Sequence, residues 1–153
     1  MNQNRIPKPR SSILSLPEYV PGEQSLEGII EPIKLSSNES NLGPSPKSLE
    51  AFSDFSKYIH RYPDPDQFQI REAIAAHHKL IPENIICGNG SAELIQMLIQ
   101  TYVDEGDEVL LSEFGFPLYQ IVAKSQGAKV VFAPEVECVT QVDSLISLMS
   151  PKT

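Results

Sequence analysis

The hexapeptide Gly88-Asn89-Gly90-Ser91-Ala92-Glu93 places two glycines and a small hydroxyl residue where a β-branched run gives way to helical spacing. Free backbone N–H groups at a helix start, together with the helix dipole, favour a phosphate at such a junction. Glycine at 88 and 90 lets the backbone come close to a ligand. A dinucleotide fingerprint would need a third glycine at position 93, which is Glu93, and no Gly-Lys-Ser/Thr follows, so a nucleotide cofactor is disfavoured. The same six residues also fit a plain strand-to-helix turn that uses glycine for its φ angles. Taken alone, the hexapeptide leaves both assignments open.

Three other groups of residues could do chemistry. The stretch from Lys34 to Pro46 is rich in Asn and Ser, which suits caps and turns and also suits a lip over a small-molecule site. Phe55-Ser56-Lys57 imitates a Ser-Lys motif, but Lys57 precedes Tyr58-Ile59-His60-Arg61 at a helix end, where a solvated lysine is the better assignment. His60, His77 and His78 show no Ser or Cys arrangement that reads as a triad. Cys87 and Cys138 stand far apart without metal-ligand spacing, which indicates two reduced thiols and no metal site.

The elements that must carry these residues follow from pattern. Prolines at 7, 9, 17, 21, 32 and 44 make residues 1–45 an extended arm, with one short helix around 12–16. A domain starts at Pro46, the first helical position behind a Ser45 cap. A second helix follows the turn Tyr62-Pro63-Asp64-Pro65-Asp66, capped by Asp64 or Asp66, with Phe68, Ile70, Ile74, Ala75 and His78 near a 3.6-residue period. Strands are expected over 83–87, 108–112 and 128–133, and helices over 91–102, 118–125 and 142–149. Alternation of this kind argues for an α/β domain with a mostly parallel sheet and flanking helices. Ser150-Pro151-Lys152-Thr153 should lead into a further strand, so residues 46–153 read as the first part of a larger domain.

Composition narrows the classes. The 153 residues carry 12 Lys and Arg against 20 Asp and Glu, a formal net charge of -8, which leaves no basic field for a nucleic-acid backbone. No apolar run approaches the about 20 residues needed to span a bilayer. The polar start over 1–10 lacks a signal core, and the expected compartment is the cytoplasm.

Taken together, the motifs resemble one family. Asn38-Glu39 with Gly43-Pro44, then Tyr62-Pro63-Asp64, then Gly88 to Glu93, then Phe116-Pro117-Leu118-Tyr119 with Gly127-Ala128, stand in the order and spacing of histidinol-phosphate aminotransferases. The resemblance runs from about Tyr19 to Thr153, and Leu16-Pro17-Glu18-Tyr19-Val20-Pro21-Gly22 is similar to the histidinol-phosphate branch in particular. It implies part of the large domain of a fold-type I transferase dependent on pyridoxal 5'-phosphate, acting on a small-molecule substrate as a homodimer. It also implies that the amides of Ser91 and Ala92 hold the cofactor phosphate and that the Phe116 ring stacks on the pyridine. Tyr62 matches a tyrosine that reaches the phosphate of the partner subunit's cofactor. Tyr19 matches one that touches the substrate phosphate, and Asn38 lies in the substrate-facing loop.

The reaction so implied moves an amino group between histidinol phosphate and 2-oxoglutarate. Its Schiff-base lysine, pyridinium-pairing carboxylate and cationic carboxylate clamp match no residue of this chain, so catalytic residues are expected to be absent and the 153 residues inactive alone. Two alternatives stay open. One is another enzyme of the same fold, such as an aromatic aminotransferase or a threonine-phosphate decarboxylase. The other is a gene relic or a non-enzymatic phosphate-binding or interaction module.

Overall fold

The computed structural model describes residues 7–23, 25 and 27–153; the first part of the polar start, residues 1–6, lies outside them. The chain forms two compact units, one of residues 1–19 with 83–153 and one of residues 20–82.

In the first unit, α1 (Ser11–Leu14) is the short helix expected in the arm. Ser125 near the end of a later helix offers its carbonyl to Arg10 Nη2 at 3.0 Å and to Ser12 Oγ at 3.2 Å, which ties the arm down. A guanidinium at a helix carboxyl end also meets the negative pole of the dipole. The core elements follow as α4 (Ser91–Tyr102), β1 (Glu108–Ser112), α5 (Leu118–Gln126), β2 (Lys129–Ala133) and α6 (Val142–Leu148), numbered after the two helices of the second unit given below. β1 and β2 are parallel, with Glu108 opposite Lys129, Leu110 opposite Val131 and Ser112 opposite Ala133. Ile95 and Ile99 of α4 meet Val122 and Ala123 of α5 and Ala128, while Val109 and Val130 pack on that cluster from the two strands. The 3.6-residue spacing that buries one face of α4 therefore selects Ile95 and Ile99 and leaves Met97 and Leu98 outward.

The expectation of a strand over 83–87 is corrected. Pro82–Asn84 is a 3-10 turn, and residues 85–87 join no ladder among those described. Ile85-Ile86-Cys87 has the side chains of a strand, but a strand is defined by its partner, and neither β1 nor β2 pairs with it. A second departure is the hairpin β3 (Glu135–Val136) and β4 (Val139–Thr140), which sequence patterning missed. Its turn is Glu137-Cys138 with φ of 51° and 61°, the doubly left-handed form in which Asn-Gly is the usual signature.

In the second unit, α2 (Pro46–Phe55) starts as expected, with Ser45 Oγ accepting from the Ser48 amide at 3.1 Å. Helix α3 (Phe68–His78) is capped by Asp64, whose carboxylate takes the amides of Phe68 at 2.9 Å and Asp66 at 3.1 Å. Asp66 offers its carbonyl to Arg71 Nη1 at 3.2 Å. Arg71 also donates twice to the carbonyl of Pro82, at 3.1 and 2.7 Å, and so staples both ends of this helix region.

At the amino edge of the strands Glu108 accepts from Lys129 Nζ at 2.7 Å and from the hydroxyl of Ser150. These two donors hold its carboxyl below its ordinary value of 4.5. A depressed pKa makes the ionised form the one the fold favours, so its contribution is present above 4.5 and fades as pH falls through the lower, folded value. Acidification should therefore weaken the β1–β2 ladder amide signals in NMR spectra below about pH 4.5, and Glu108→Gln should remove that part of the acid response. An unchanged acid response in the variant would contradict the assignment.

Candidate functional site

Helix α4 ends at Tyr102, shortly before β1 begins at Glu108, and α5 ends at Gln126, shortly before β2 begins at Lys129. The turns there touch: Gly106 donates to the Gly127 carbonyl at 3.2 Å and Lys129 to the Asp107 carbonyl at 2.8 Å. Both helices thus finish at the amino edge of the strands and begin at their carboxyl edge, where open α/β sheets bind ligands. Ser91 at the start of α4 and the loop 113–117 after β1 share that edge.

The backbone at the α4 start is built by Gly90, at φ 79° and ψ 172°, a region open essentially to glycine. A Cβ there would meet nothing within 4 Å, so the requirement is backbone conformation and open space in front of the helix. Ser91 and Ala92 are exposed residues, and their amides donate to no acceptor among the described residues. They are among the N–H groups that every helix start leaves unsatisfied. Glu93, one position further, turns back: its Oε2 accepts from the Asn89 amide and, at 3.1 Å, from Asn89 Nδ2. The Gly90 amide donates to the Gly88 carbonyl at 2.8 Å, completing a tight loop.

Phe116 sits in the 113–117 loop, which Gly115 closes by donating to the Ser112 carbonyl at 3.1 Å. The residue is 49% exposed, and its ring meets Tyr119 edge-on at 6.4 Å. Tyr19 lies beyond α1 in the same unit with half its surface exposed. The structure therefore brings Ser91, Ala92 and Phe116 to one edge of one unit. Tyr62 and Asn38 belong to the second unit. There Tyr62 is exposed beside a shallow apolar groove lined by Phe55, Tyr58, Ile59 and Arg61. Asn38 takes a left-handed φ of 52° in a loop whose neighbours Lys34 and Glu39 pair at 3.0 Å. Sequence reading gave Glu93 no part in the site, although a carboxylate at the third helical position is the signal of a side chain that reaches back to the preceding amides.

Lys57 lies in a 3-10 turn, Ser56–Tyr58, with Nζ 5.2 Å from the Tyr58 ring centroid, while Arg61 covers the same ring at 4.9 Å. That placement suits a surface cation–π contact. Among the described residues no helix is long and apolar enough to cross a membrane, and no group of His, Cys, Asp or Glu is arranged to hold a metal.

Residues 30–150 match the family model described as aminotransferase class I and II. The chain belongs to that family. A histidinol-phosphate aminotransferase of Paramagnetospirillum magneticum is 46% identical over 96% of this chain and 40% of its own length. One from Rhodospirillum centenum is 44% identical over 96% of the chain and 41% of its own. The aminotransferase chain described here thus spans about 40% of the length of these curated relatives. Among solved structures, the histidinol-phosphate aminotransferase of Sinorhizobium meliloti in complex with pyridoxal-5'-phosphate superposes with a TM-score of 0.70 at 27% identity, over 72% of this chain and 30% of that one. The α/β chain described above is accordingly a portion of the fold-type I aminotransferase fold.

Proposed function

We propose that this chain is the cofactor-phosphate-binding portion of a histidinol-phosphate aminotransferase that uses pyridoxal 5'-phosphate. The observation that carries the reading is the pair of open amides at Ser91 and Ala92, set forward by a Gly90 backbone at φ 79°. Such amides suit an anion with several acceptor oxygens, as a phosphate monoester has. The exposed face of Phe116 at the same edge suits an aromatic ring. The names of the Paramagnetospirillum and Rhodospirillum relatives and the cofactor in the Sinorhizobium structure support the same assignment.

When bound, the cofactor supplies the electron sink for amino-group transfer. The residues of this chain bind and orient. Ser91 and Ala92 hold the phosphate, and Phe116 covers the pyridine plane. Tyr62 reaches the phosphate of the partner subunit's cofactor, which makes the working form a homodimer with shared sites. Tyr19 contacts the substrate phosphate, and Asn38 faces the substrate. Residues 1–45 act as arm and substrate-facing loop, and residues 46–153 as the first part of the large domain, in a cytoplasmic protein that engages neither membrane nor nucleic acid. The reactive lysine belongs to the portion of the relatives that this chain does not span, so the whole activity is that of a protein carrying this portion and the remainder.

The assay is glutamate formation from histidinol phosphate and 2-oxoglutarate with added pyridoxal 5'-phosphate. A protein carrying this chain with the remaining portion should produce glutamate, and the 153 residues alone should not. Turnover by the 153-residue chain, or an extended protein that accepts aromatic amino acids and ignores histidinol phosphate, would contradict the proposal.

A further inference from the structure

Glu93 presents a difficulty for an anion site. Its carboxylate stands in the first turn of α4, one residue from the two amides assigned to the phosphate, and like charges repel at that range. A residue there that served binding by charge would be a cation.

The geometry gives the carboxylate a different task. A single oxygen, Oε2, accepts both the main-chain and side-chain N–H groups of Asn89, the residue before the positive-φ Gly90. A glycine pair on either side of Asn89 is flexible by nature, and without a brace the loop would sample many φ and ψ values. The space that lets the carboxylate fold under the loop is at Gly88, where an added Cβ would lie 3.0 Å from Glu93 Oε2 and 3.1 Å from Leu94 Cδ2. Gly88 is not among the glycines with positive φ, so its lack of a side chain answers to this close approach and not to backbone conformation.

We propose that Glu93 is a positioning residue for the anion site: it locks Asn89, and through Asn89 the Gly88–Gly90 turn, so that the Ser91 and Ala92 amides point at one phosphate. This rests on the cofactor reading given above. The carboxylate works here as an acceptor, and its charge is an electrostatic penalty that the brace outweighs.

Because both bonds end on one oxygen, a glutamine carbonyl can accept both while removing the charge. Glu93→Gln should therefore bind pyridoxal 5'-phosphate and inorganic phosphate as tightly as the unmodified chain or more tightly. Glu93→Ala should lose about tenfold in affinity for both, the size of one charge-assisted hydrogen bond. Gly88→Ala, which crowds the carboxylate and leaves residue 93 itself unchanged, should lose a similar factor. In amide hydrogen exchange Glu93→Ala should speed the Asn89 amide while Ile95 and Ile99 in the α4 core stay protected, which separates a loosened loop from an unfolded helix. Equal binding by Glu93→Ala, or a loss in Glu93→Gln as large as in Glu93→Ala, overturns the positioning role while leaving the anion site standing. Failure of the unmodified chain to bind either probe overturns the anion site, and this inference with it.

Discussion

Gly90→Ala is expected to cut the affinity for pyridoxal 5'-phosphate by roughly 5- to 150-fold, the equivalent of about 1–3 kcal/mol of backbone strain. Gly90 holds φ 79° and ψ 172°, and alanine reaches that region only at this cost. The chain can relieve the strain by rotating the Asn89–Gly90 and Gly90–Ser91 peptides, but that rotation turns the amides at 91 and 92 away from a common point. Either response lowers affinity. Gly106→Ala supplies the control, since Gly106 has a comparable φ of 90°, equally open surroundings and a place at the opposite edge of the strands. It should lower stability by a similar amount and leave the intrinsic affinity for the cofactor unchanged. Titration of the three proteins by fluorescence would show this, and equal losses in both variants would mean that the glycines act through stability alone.

The second large effect concerns the core. Ile99→Ala should cost about 2–5 kcal/mol, the usual range for removing a buried branched chain. Ile99 is 7% exposed and joins Ile95, Val122 and Ala123 in the cluster that binds α4 to α5. A well-packed domain has only about 5–15 kcal/mol in total, and this chain has less apolar burial to draw on. Among the described residues no large side chain is fully buried, and the buried set consists of Ala75, Ile95, Ile99, Val122, Ala123, Ala128 and Ala133. Among the described residues no third strand joins β1 and β2, and only the Glu108 amide at the outer edge of β1 finds a backbone acceptor, the Lys152 carbonyl at 2.8 Å, which favours association. Thermal unfolding of the chain alone should accordingly be broad, and Ile99→Ala should abolish what cooperativity there is. A sharp, two-state transition that survives the substitution would contradict this account of the core.

Most of the first unit was legible because its patterns are local. The apolar spacing of Leu94, Ile95, Leu98 and Ile99 behind two glycines placed α4, and in the second unit Ser45-Pro46 placed the start of α2. The strand expected over 83–87 failed because β-branched composition reports suitability for a ladder and not the presence of a partner. The Glu137-Cys138 turn escaped because neither residue is typical of left-handed backbone, so no turn signal marked the hairpin. At the site, Gly88, Gly90 and Ser91 were legible as a tight turn into a helix start, whereas the brace from Glu93 to Asn89 depends on a side-chain rotamer that spacing alone does not fix. Asp64 outcompeted Asp66 as the cap of α3 for a similar reason, its carboxylate reaching two amides of the following turn at once.

The central claim is that the first amides of α4 hold the cofactor's phosphate. Two-dimensional amide NMR of the 15N-labelled chain, titrated in parallel with pyridoxal 5'-phosphate and with phosphate-free pyridoxal, tests it most directly. The Ser91 and Ala92 signals should move most with the phosphorylated compound and hardly at all with pyridoxal. Equal responses to both compounds, or shifts centred on the groove around Tyr58 and Tyr62 with α4 unmoved, would contradict it.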